Sequence, residues 1–157
     1  MADFMTTTQR SRAMSAVRGT ESNIERVMRS ELHRKGFRFR KNVKDLPGRP
    51  DIVLPKYHCA IFVHGCFWHQ HKNCKRSKLP ATRHAFWSKK LADNVRRDRR
   101  HVENLRRGNW RVFIIWECQL RQGTDQEALI EKLVSKIQNA DVWLSNWDCI
   151  SDQTFPG

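Results

Sequence analysis

The side chains that could do chemistry are concentrated in one segment near the middle of the chain. Residues 64–74 contain three histidines and two cysteines. Cys66, His71 and Cys74 have a spacing that suits the ligands of one metal ion. His64 and His69 are then left to move protons near neutral pH. The segment therefore predicts a metal-binding loop that also carries an acid–base pair.

A tetrahedral zinc ion needs a fourth ligand, and Cys118, at the end of a β-prone run, is the best candidate. Three cysteines and one histidine make a closed, structural site, because no position is left for a substrate. The alternative is that the spacing is coincidental. Cys59 and Cys149 read as ordinary residues. An odd number of cysteines and the absence of a signal-like apolar run predict a reducing cytoplasm.

A carboxylate precedes this segment at Asp51, which follows Pro50 at the start of a short apolar run. Carboxylate oxygen is a ligand that Mg²⁺ prefers. An aspartate after proline is also a common turn residue, so Asp51 alone carries little weight, but the two histidines favour a catalytic metal site. Glu25 lies about 20° from Leu32 on a helical wheel. Its carboxylate is therefore expected at the edge of a buried stripe.

The charge of the chain predicts a polyanionic partner. Its 157 residues carry a formal net charge of +14. Residues 124–157 hold six acids and two lysines, a net of −4, which leaves +18 on residues 1–123. The positive charge thus lies with the histidine and cysteine segment. The arginine-rich run at 96–100 could be a solvated helix face or a track for phosphates.

Two pairs of adjacent aromatics are a further signal. Phe67 and Trp68 lie among the metal-ligand candidates, where they could wedge between base pairs of a duplex. They could equally cap the loop against the sheet. For Phe86 and Trp87, at the start of a long helical pattern, core packing is the favoured interpretation.

Local patterns predict one α/β unit in which a mixed sheet is flanked by helices. The predicted elements are a helix from about 22 to 36, strands at 37–40, 51–54 and 59–63, a helix from about 83 to 107, a strand at Arg111–Trp116, and a last helix. A hairpin should join the strands on either side of residues 55–58. Thr82 could cap the long helix, and Thr124 opens a capping box for the last. The Arg111–Trp116 strand is expected to be central.

Several motifs together resemble the very short patch repair (Vsr) DNA mismatch endonucleases. They are PGRPD at 47–51, FVHGCFWH at 62–69, PATR at 80–83, FW at 86–87, NVRRDRR at 94–100, WRV at 110–112 and WEC at 116–118. The resemblance implies a restriction-endonuclease-like fold of the PD-(D/E)xK superfamily with a structural zinc site. The likeness spans about residues 8–135. Residues 1–20 are polar and basic and are predicted to form an arm, with a short helix around 10–17, before a nuclease domain at 21–140 and a tail at 141–157.

The resemblance also implies an activity: a strand-specific nick on the 5′ side of the thymine in a T·G mispair, left by deamination of 5-methylcytosine. The implied catalytic set is His69 as general base, His64 at the scissile phosphate, Asp51 and the main-chain carbonyl of Val63 as Mg²⁺ ligands, and Glu25 and Asp98 in support. The implied zinc ligands are Cys66, His71, Cys74 and Cys118. The implied wedge that intercalates into DNA is Phe67, Trp68 and Trp87.

This chain departs from the family at Val63, where better-known members have threonine, and at Asn73, which resembles a one-residue insertion. The expected partners are double-stranded DNA with a T·G mismatch and mismatch-repair proteins. The chain should act as a monomer, in the cytoplasm and on the nucleoid, with no membrane association. The alternative function is a non-catalytic, zinc-stapled module that binds damaged or mismatched duplex. Such a module would not need the intact Asp51, His64 and His69.

Overall fold

The computed structural model describes residues 23–121 and 124–139, together with Thr6, Thr8 and Gln9. The rest of the predicted arm, including the short helix expected around 10–17, lies outside the described residues. So do the predicted tail at 141–157 and Cys149. None of the described helices is long and apolar enough to cross a membrane.

The strands of the described chain form one mixed sheet in the order β1-β2-β3-β4. They are β1 (Arg40–Lys41), β2 (Ile52–Leu54), β3 (Cys59–His64) and β4 (Arg111–Trp116). β2 pairs antiparallel with both β1 and β3, whereas β3 pairs parallel with β4. The predicted mixed sheet is confirmed.

The connection between β2 and β3 is the predicted hairpin, and it fixes the register of these two strands. The short 3₁₀ helix Pro55–Tyr57 fills the turn, and His58 adopts a left-handed conformation, with φ 53°. The resulting register sets Ile52 opposite Ile61. The start of β2 therefore lies beside the end of β3, so the residue before β2 lies close to the last residues of β3.

Helices cover both faces of the sheet. They are α1 (Asn23–Arg34), α2 (His84–Arg107) and α3 (Gln126–Gln138). α1 and α3 pack against one face, and α2 packs against the other. Because side chains alternate along a strand, Ile61 and Val63 face α1 and α3, while Phe62 faces α2. His64 has the same parity as Phe62 and is directed to the α2 side.

The prediction of a strand at 37–40 is wrong for most of that segment. Gly36 has a φ of +88°, and the Phe37 N–H bonds back to the Leu32 carbonyl at 3.0 Å, so the backbone terminates α1. Phe37 is buried in the core while its backbone closes the helix. Only Arg40 and Lys41 pair as a strand.

Two predicted caps are displaced by one residue. The N-cap of α2 is Arg83, with φ 52° and no side-chain cap, so Thr82 does not fill that role. The N-cap of α3 is Asp125, whose carboxylate accepts the Ala128 N–H at 3.0 Å. Thr124 instead donates its hydroxyl to carbonyls of the preceding turn.

The prediction that Arg111–Trp116 is central is also wrong, since β4 lies at an edge of the four described strands. Its apolar run reflects burial on both faces. Val112 and Ile114 pack toward α2, and Phe113 and Ile115 pack toward α1 and α3. Two-sided burial alone makes a strand continuously apolar, whatever its place in the sheet.

Candidate active site and metal centre

A cavity of about 210 Å³ opens where the end of β3 meets the start of β2 and the middle of α2. The structure brings all six residues of the predicted catalytic set to its wall, Val63 through its main chain. They are Glu25 from α1, Asp51 before β2, Val63 and His64 from β3, His69 from the following loop, and Asp98 from α2. Residues up to 73 positions apart in sequence therefore share one space.

Asp51 is fixed in this cavity by its carboxylate and by its main chain. One carboxylate oxygen accepts the Val63 N–H at 2.7 Å. The main-chain carbonyl accepts from Asn42 N–H at 3.4 Å and from the Arg29 guanidinium at 3.3 Å. Burial raises the pKa of Asp51, although the Val63 N–H and the positive charge of Arg29 oppose that rise. A buried carboxylate of this kind is suited to a cation.

The donors around Asp51 fit a hard divalent ion. The N–H and carbonyl of one strand residue point to the same side, so the Val63 carbonyl faces the edge where its N–H meets Asp51. The ladder between β2 and β3 ends at Ile52, so this edge lies beyond the paired residues. A carboxylate and a carbonyl are oxygen ligands of the type that Mg²⁺ accepts.

His64 and His69 lie stacked, with ring centroids 3.8 Å apart and an interplanar angle of 7°. His64 is only 4% exposed, and its pKa is held well below its ordinary value by burial and by repulsion from His69. Its Nδ1 has no hydrogen-bond partner among the described residues. His64 is therefore a neutral imidazole at physiological pH.

His69 is oriented by a carboxylate on α2. Its Nδ1 lies 2.5 Å from an oxygen of Asp98, whose side chain is 11% exposed. The His69 side chain is 26% exposed, so its other ring nitrogen remains accessible. A histidine held through one nitrogen and open at the other is suited to accept a proton from water.

The wall also contains residues outside the predicted catalytic set, and His101 is the one among them that could do acid–base chemistry. His101 follows Asp98 by three residues, a spacing that places both on one side of α2. Gly48, with φ +75°, packs against His101, and an added Cβ would lie 2.9 Å from the His101 Cβ. That contact seats the turn before Asp51 on α2. The i+3 spacing was the available signal for His101.

A buried arginine was missed as well. Arg29 is 5% exposed, and it contacts both Glu25 and the main chain of Asp51. Its spacing of four residues from Glu25 was the available signal. Periodicity alone does not distinguish a buried ion pair from an exposed one.

A second cluster lies on the far side of the same loop. The four predicted ligands, Cys66, His71, Cys74 and Cys118, have ligand atoms within 4.8 Å of one another. The His71 Nδ1 is 3.6 Å from the Cys66 sulfur and 3.3 Å from the Cys118 sulfur. Burial raises the pKa of the Cys66 and Cys118 thiols. A cation that favours thiolates would offset this cost, so the cluster could hold a metal.

The loop that joins the two clusters is tightly bonded. The His69 N–H bonds to the Gly65 carbonyl at 3.1 Å, and the His71 N–H to the Cys66 carbonyl at 2.9 Å. Cys66 also donates its N–H to Glu117 at 3.3 Å. His69 therefore lies in sequence between two members of the cysteine cluster, and hydrogen bonds within the same loop hold both His69 and His71.

Phe67, Trp68 and Trp87 form a half-exposed aromatic cluster next to the cavity loop. Their ring centroids are 5.3 to 5.9 Å apart. The Lys90 ammonium lies 5.7 Å from the Trp68 ring and 5.5 Å from the Trp87 ring. Phe86 is 45% exposed, so the expectation of core packing is wrong for it. The ring faces at this surface could stack on bases.

The arginine-rich run occupies the outer side of α2. Arg96, Arg97, Arg99 and Arg100 are exposed, whereas Asp98 between them faces the cavity. The basic charge thus lies on the same helix as the partner of His69. Exposed guanidinium groups beside a cavity with carboxylates and histidines are typical of an enzyme that cleaves a nucleic acid backbone.

Comparison with known proteins identifies the class. Residues 2–76 match the model of the family described as DNA mismatch endonuclease Vsr. The chain is 46% identical over 135 residues to the DNA mismatch endonuclease Vsr of Escherichia coli, with 85% of this chain and 86% of that protein covered. The chain belongs to the Vsr family of DNA mismatch endonucleases.

Two further relatives are named as nicking enzymes. The type II nicking enzyme V.XorIIP of Xanthomonas oryzae is 40% identical over 134 residues, covering 85% of this chain and 98% of its own. The type II nicking enzyme V.NmeAIP of Neisseria meningitidis is 36% identical over 140 residues, covering 89% of this chain and 99% of its own. The chain thus aligns with nearly the full length of both.

Proposed function

We propose that this protein is a Mg²⁺-dependent endonuclease that nicks one strand of DNA on the 5′ side of the thymine in a T·G mispair. The names of its relatives, a DNA mismatch endonuclease and nicking enzymes, support this proposal. The observation that carries it is the His69–Asp98 pair, held at 2.5 Å in the same cavity as Asp51. A module that only bound DNA would not need an oriented, accessible imidazole beside a buried carboxylate.

In this proposal the domain spans residues 21–140 and has the restriction-endonuclease-like fold. The mixed sheet with helices on both faces is consistent with that fold. Residues 1–20 would form a basic arm and residues 141–157 a tail.

His69 is proposed to take the proton from the attacking water. Asp98 holds its Nδ1, which leaves the other nitrogen as the acceptor. The carboxylate also stabilises the imidazolium that forms as the proton arrives. His64 is neutral and stacked on His69, so it is proposed to donate a hydrogen bond to the scissile phosphate.

Asp51 and the Val63 carbonyl are proposed to hold Mg²⁺, and Glu25 to support the site from α1. Bound Mg²⁺ would supply charge stabilisation at the phosphate and activation of water. Only the backbone of Val63 is used, so a valine side chain is compatible with this role. The side chain itself packs toward α1 and α3.

Cys66, His71, Cys74 and Cys118 are proposed to hold a structural zinc ion. Four ligand-type side chains within 4.8 Å leave no place for a substrate. Cys118 lies 44 residues beyond Cys74, so a shared ion would join the loop to the end of β4.

Phe67, Trp68 and Trp87 are proposed to insert beside the mismatch. Their rings contact one another at the surface beside the cavity loop. A mispaired step costs less to unstack than a matched one, so a wedge of this kind selects for it. The exposed arginines of α2 would hold the backbone without reading sequence.

A labelled duplex with one T·G pair tests this function against a matched T·A duplex, each with and without Mg²⁺. The expected result is a single nick on the thymine strand of the T·G duplex, only with Mg²⁺. Binding of both duplexes without any nick would contradict the proposal and would support the binding module.

A further inference from the structure

Arg29 is a buried charge at a position where an apolar residue would be ordinary. It lies on α1 one turn after Glu25, and it is flanked by the fully buried Met28 and Leu32. Only 5% of Arg29 is exposed. Burial of a guanidinium is costly unless carboxylates or carbonyls surround it. The contacts of Arg29 must therefore offset the cost of burying its charge.

The contacts of Arg29 reach two different parts of the cavity wall. Its Nη2 donates to the Glu25 carboxylate at 3.4 Å and to the Asp51 main-chain carbonyl at 3.3 Å. Glu25 belongs to α1, whereas Asp51 precedes β2. One guanidinium nitrogen therefore ties the helix to the segment that carries Asp51.

The bond to Asp51 completes a set that fixes this residue. The same carbonyl accepts the Asn42 N–H, and the carboxylate accepts the Val63 N–H. The positive charge of Arg29 also lies near two carboxylates, those of Glu25 and Asp51, which repel each other when ionised. Arg29 can thus hold both in position and reduce their repulsion.

Building on the proposed cleavage in this cavity, we propose that Arg29 is a positioning residue for catalysis. Through its bonds to Glu25 and to the main chain of Asp51, it sets where the two carboxylates lie relative to His69. It does not touch the substrate. A displacement of about 1 Å in a reacting constellation can cost on the order of 100-fold in rate.

The test compares Arg29→Met and Arg29→Lys with a control on the same helix. Methionine has a similar length and suits a buried apolar position, so it removes the bonds with little loss of packing. The control is Arg34→Met, because Arg34 forms an exposed ion pair with Glu31 and its side chain is 71% exposed. Each variant is assayed for single-turnover nicking of a T·G duplex, binding of that duplex without Mg²⁺, and melting temperature.

We expect Arg29→Met to nick roughly 10- to 100-fold more slowly than the unaltered protein, with duplex binding unchanged. Arg29→Lys should recover part of the rate, because an ammonium can bond to one of the two partners. Arg34→Met should behave as the unaltered protein in all three measurements. A purely structural role would not lower the rate at constant binding and melting temperature.

Equal rates for Arg29→Met and the unaltered protein would overturn the inference while leaving the proposed nicking intact. Should Arg29→Met fail to fold, Arg29→Lys decides the matter. Slow nicking by a folded Arg29→Lys supports positioning, and a normal rate overturns it. If the unaltered protein does not nick a T·G duplex at all, both the proposed function and this inference fall.

Discussion

The cavity and the cysteine cluster share one loop but differ in chemistry. The cavity offers carboxylates, a carbonyl and three imidazoles, and His69 in its wall is 26% exposed. The cluster offers three thiols and one imidazole, with Cys66 and His71 buried. Hard oxygen donors suit Mg²⁺ and soft sulfur donors suit zinc. The donor chemistry therefore favours a different ion at each of the two proposed metal sites, although a few residues separate them.

The two sites also differ in how far they are closed to solvent. A closed cluster can stabilise a loop without reacting, while an open cavity must admit water and a phosphate. Cys66 and His71 flank His69 in sequence, so a rigid cluster would hold a reactive histidine in place. Substitutions in one site should therefore show whether the other site depends on it.

The largest effect is expected from Asp51→Ala. Loss of the proposed Mg²⁺ ligand should lower nicking by at least about 10³-fold, because bound metal supplies several kcal/mol of charge stabilisation. Binding of a T·G duplex should persist, measured by gel shift without Mg²⁺. Asp45→Ala is the matched control, since Asp45 is exposed in the same loop. Normal nicking by Asp51→Ala would remove Asp51 from the metal site.

His69→Ala should lower the single-turnover rate by on the order of 10²–10⁴, the usual contribution of a positioned acid or base. Zinc content and melting temperature should stay close to those of the unaltered protein, because His69 is not a member of the cluster. His33→Ala, at an exposed position near the end of α1, is the control. Full rescue of His69→Ala by raised pH alone would argue against its role as the base.

Cys118→Ser should affect both regions. It should reduce zinc content from about one ion per chain and lower the melting temperature, since a structural ion contributes folding energy directly. Nicking should fall as a consequence, because the loop that carries His69 loses its support. Mass spectrometry of the native protein and thermal melting check these outcomes.

Cys59→Ser provides the contrast for that experiment. Cys59 is a fully buried thiol in β3 outside the cluster, and burial raises its pKa to about 11. Its replacement should lower the melting temperature without loss of zinc. Full zinc content in Cys118→Ser would exclude Cys118 as a ligand.

The double variant Phe67→Ala with Trp68→Ala should weaken mismatch selection more than general binding. Each stacked ring is worth about 1–3 kcal/mol per base, whereas plain duplex affinity comes from phosphate contacts. The ratio of T·G to T·A affinity, measured at two salt concentrations, checks this outcome. Equal loss of affinity for both duplexes would indicate that the two rings support the loop.

The smallest effect concerns the stability of the metal-free protein. Burial raises the pKa of Asp51, so the folded state keeps that proton to higher pH than the unfolded state does. This contribution to stability is present at low pH and is lost as pH rises through the raised pKa. Asp51→Asn, which can still accept the Val63 N–H, should therefore be at least as stable as the unaltered protein at neutral pH without Mg²⁺. A lower free energy of unfolding would contradict this reasoning.

The sequence alone determined most of the elements and the candidate groups. Two apolar runs gave β3 and β4, because strands buried on both faces contain few polar residues. The long pattern ending at Gly108 gave α2 almost to the residue. Spacing within one loop grouped Cys66, His71 and Cys74, since ligands within eight residues of one another can reach one ion without help from a distant segment.

The tertiary structure decided the contacts between segments that are distant in sequence. The edge position of β4, the pairing of His69 with Asp98 across 29 residues, and the burial of Arg29 all depend on strand register and helix packing. Periodicity reports which face of an element is apolar, but not which element covers that face. The sequence therefore could not show that the charge of Arg29 is buried. Its partner, the main-chain carbonyl of Asp51, is brought close only in the folded chain.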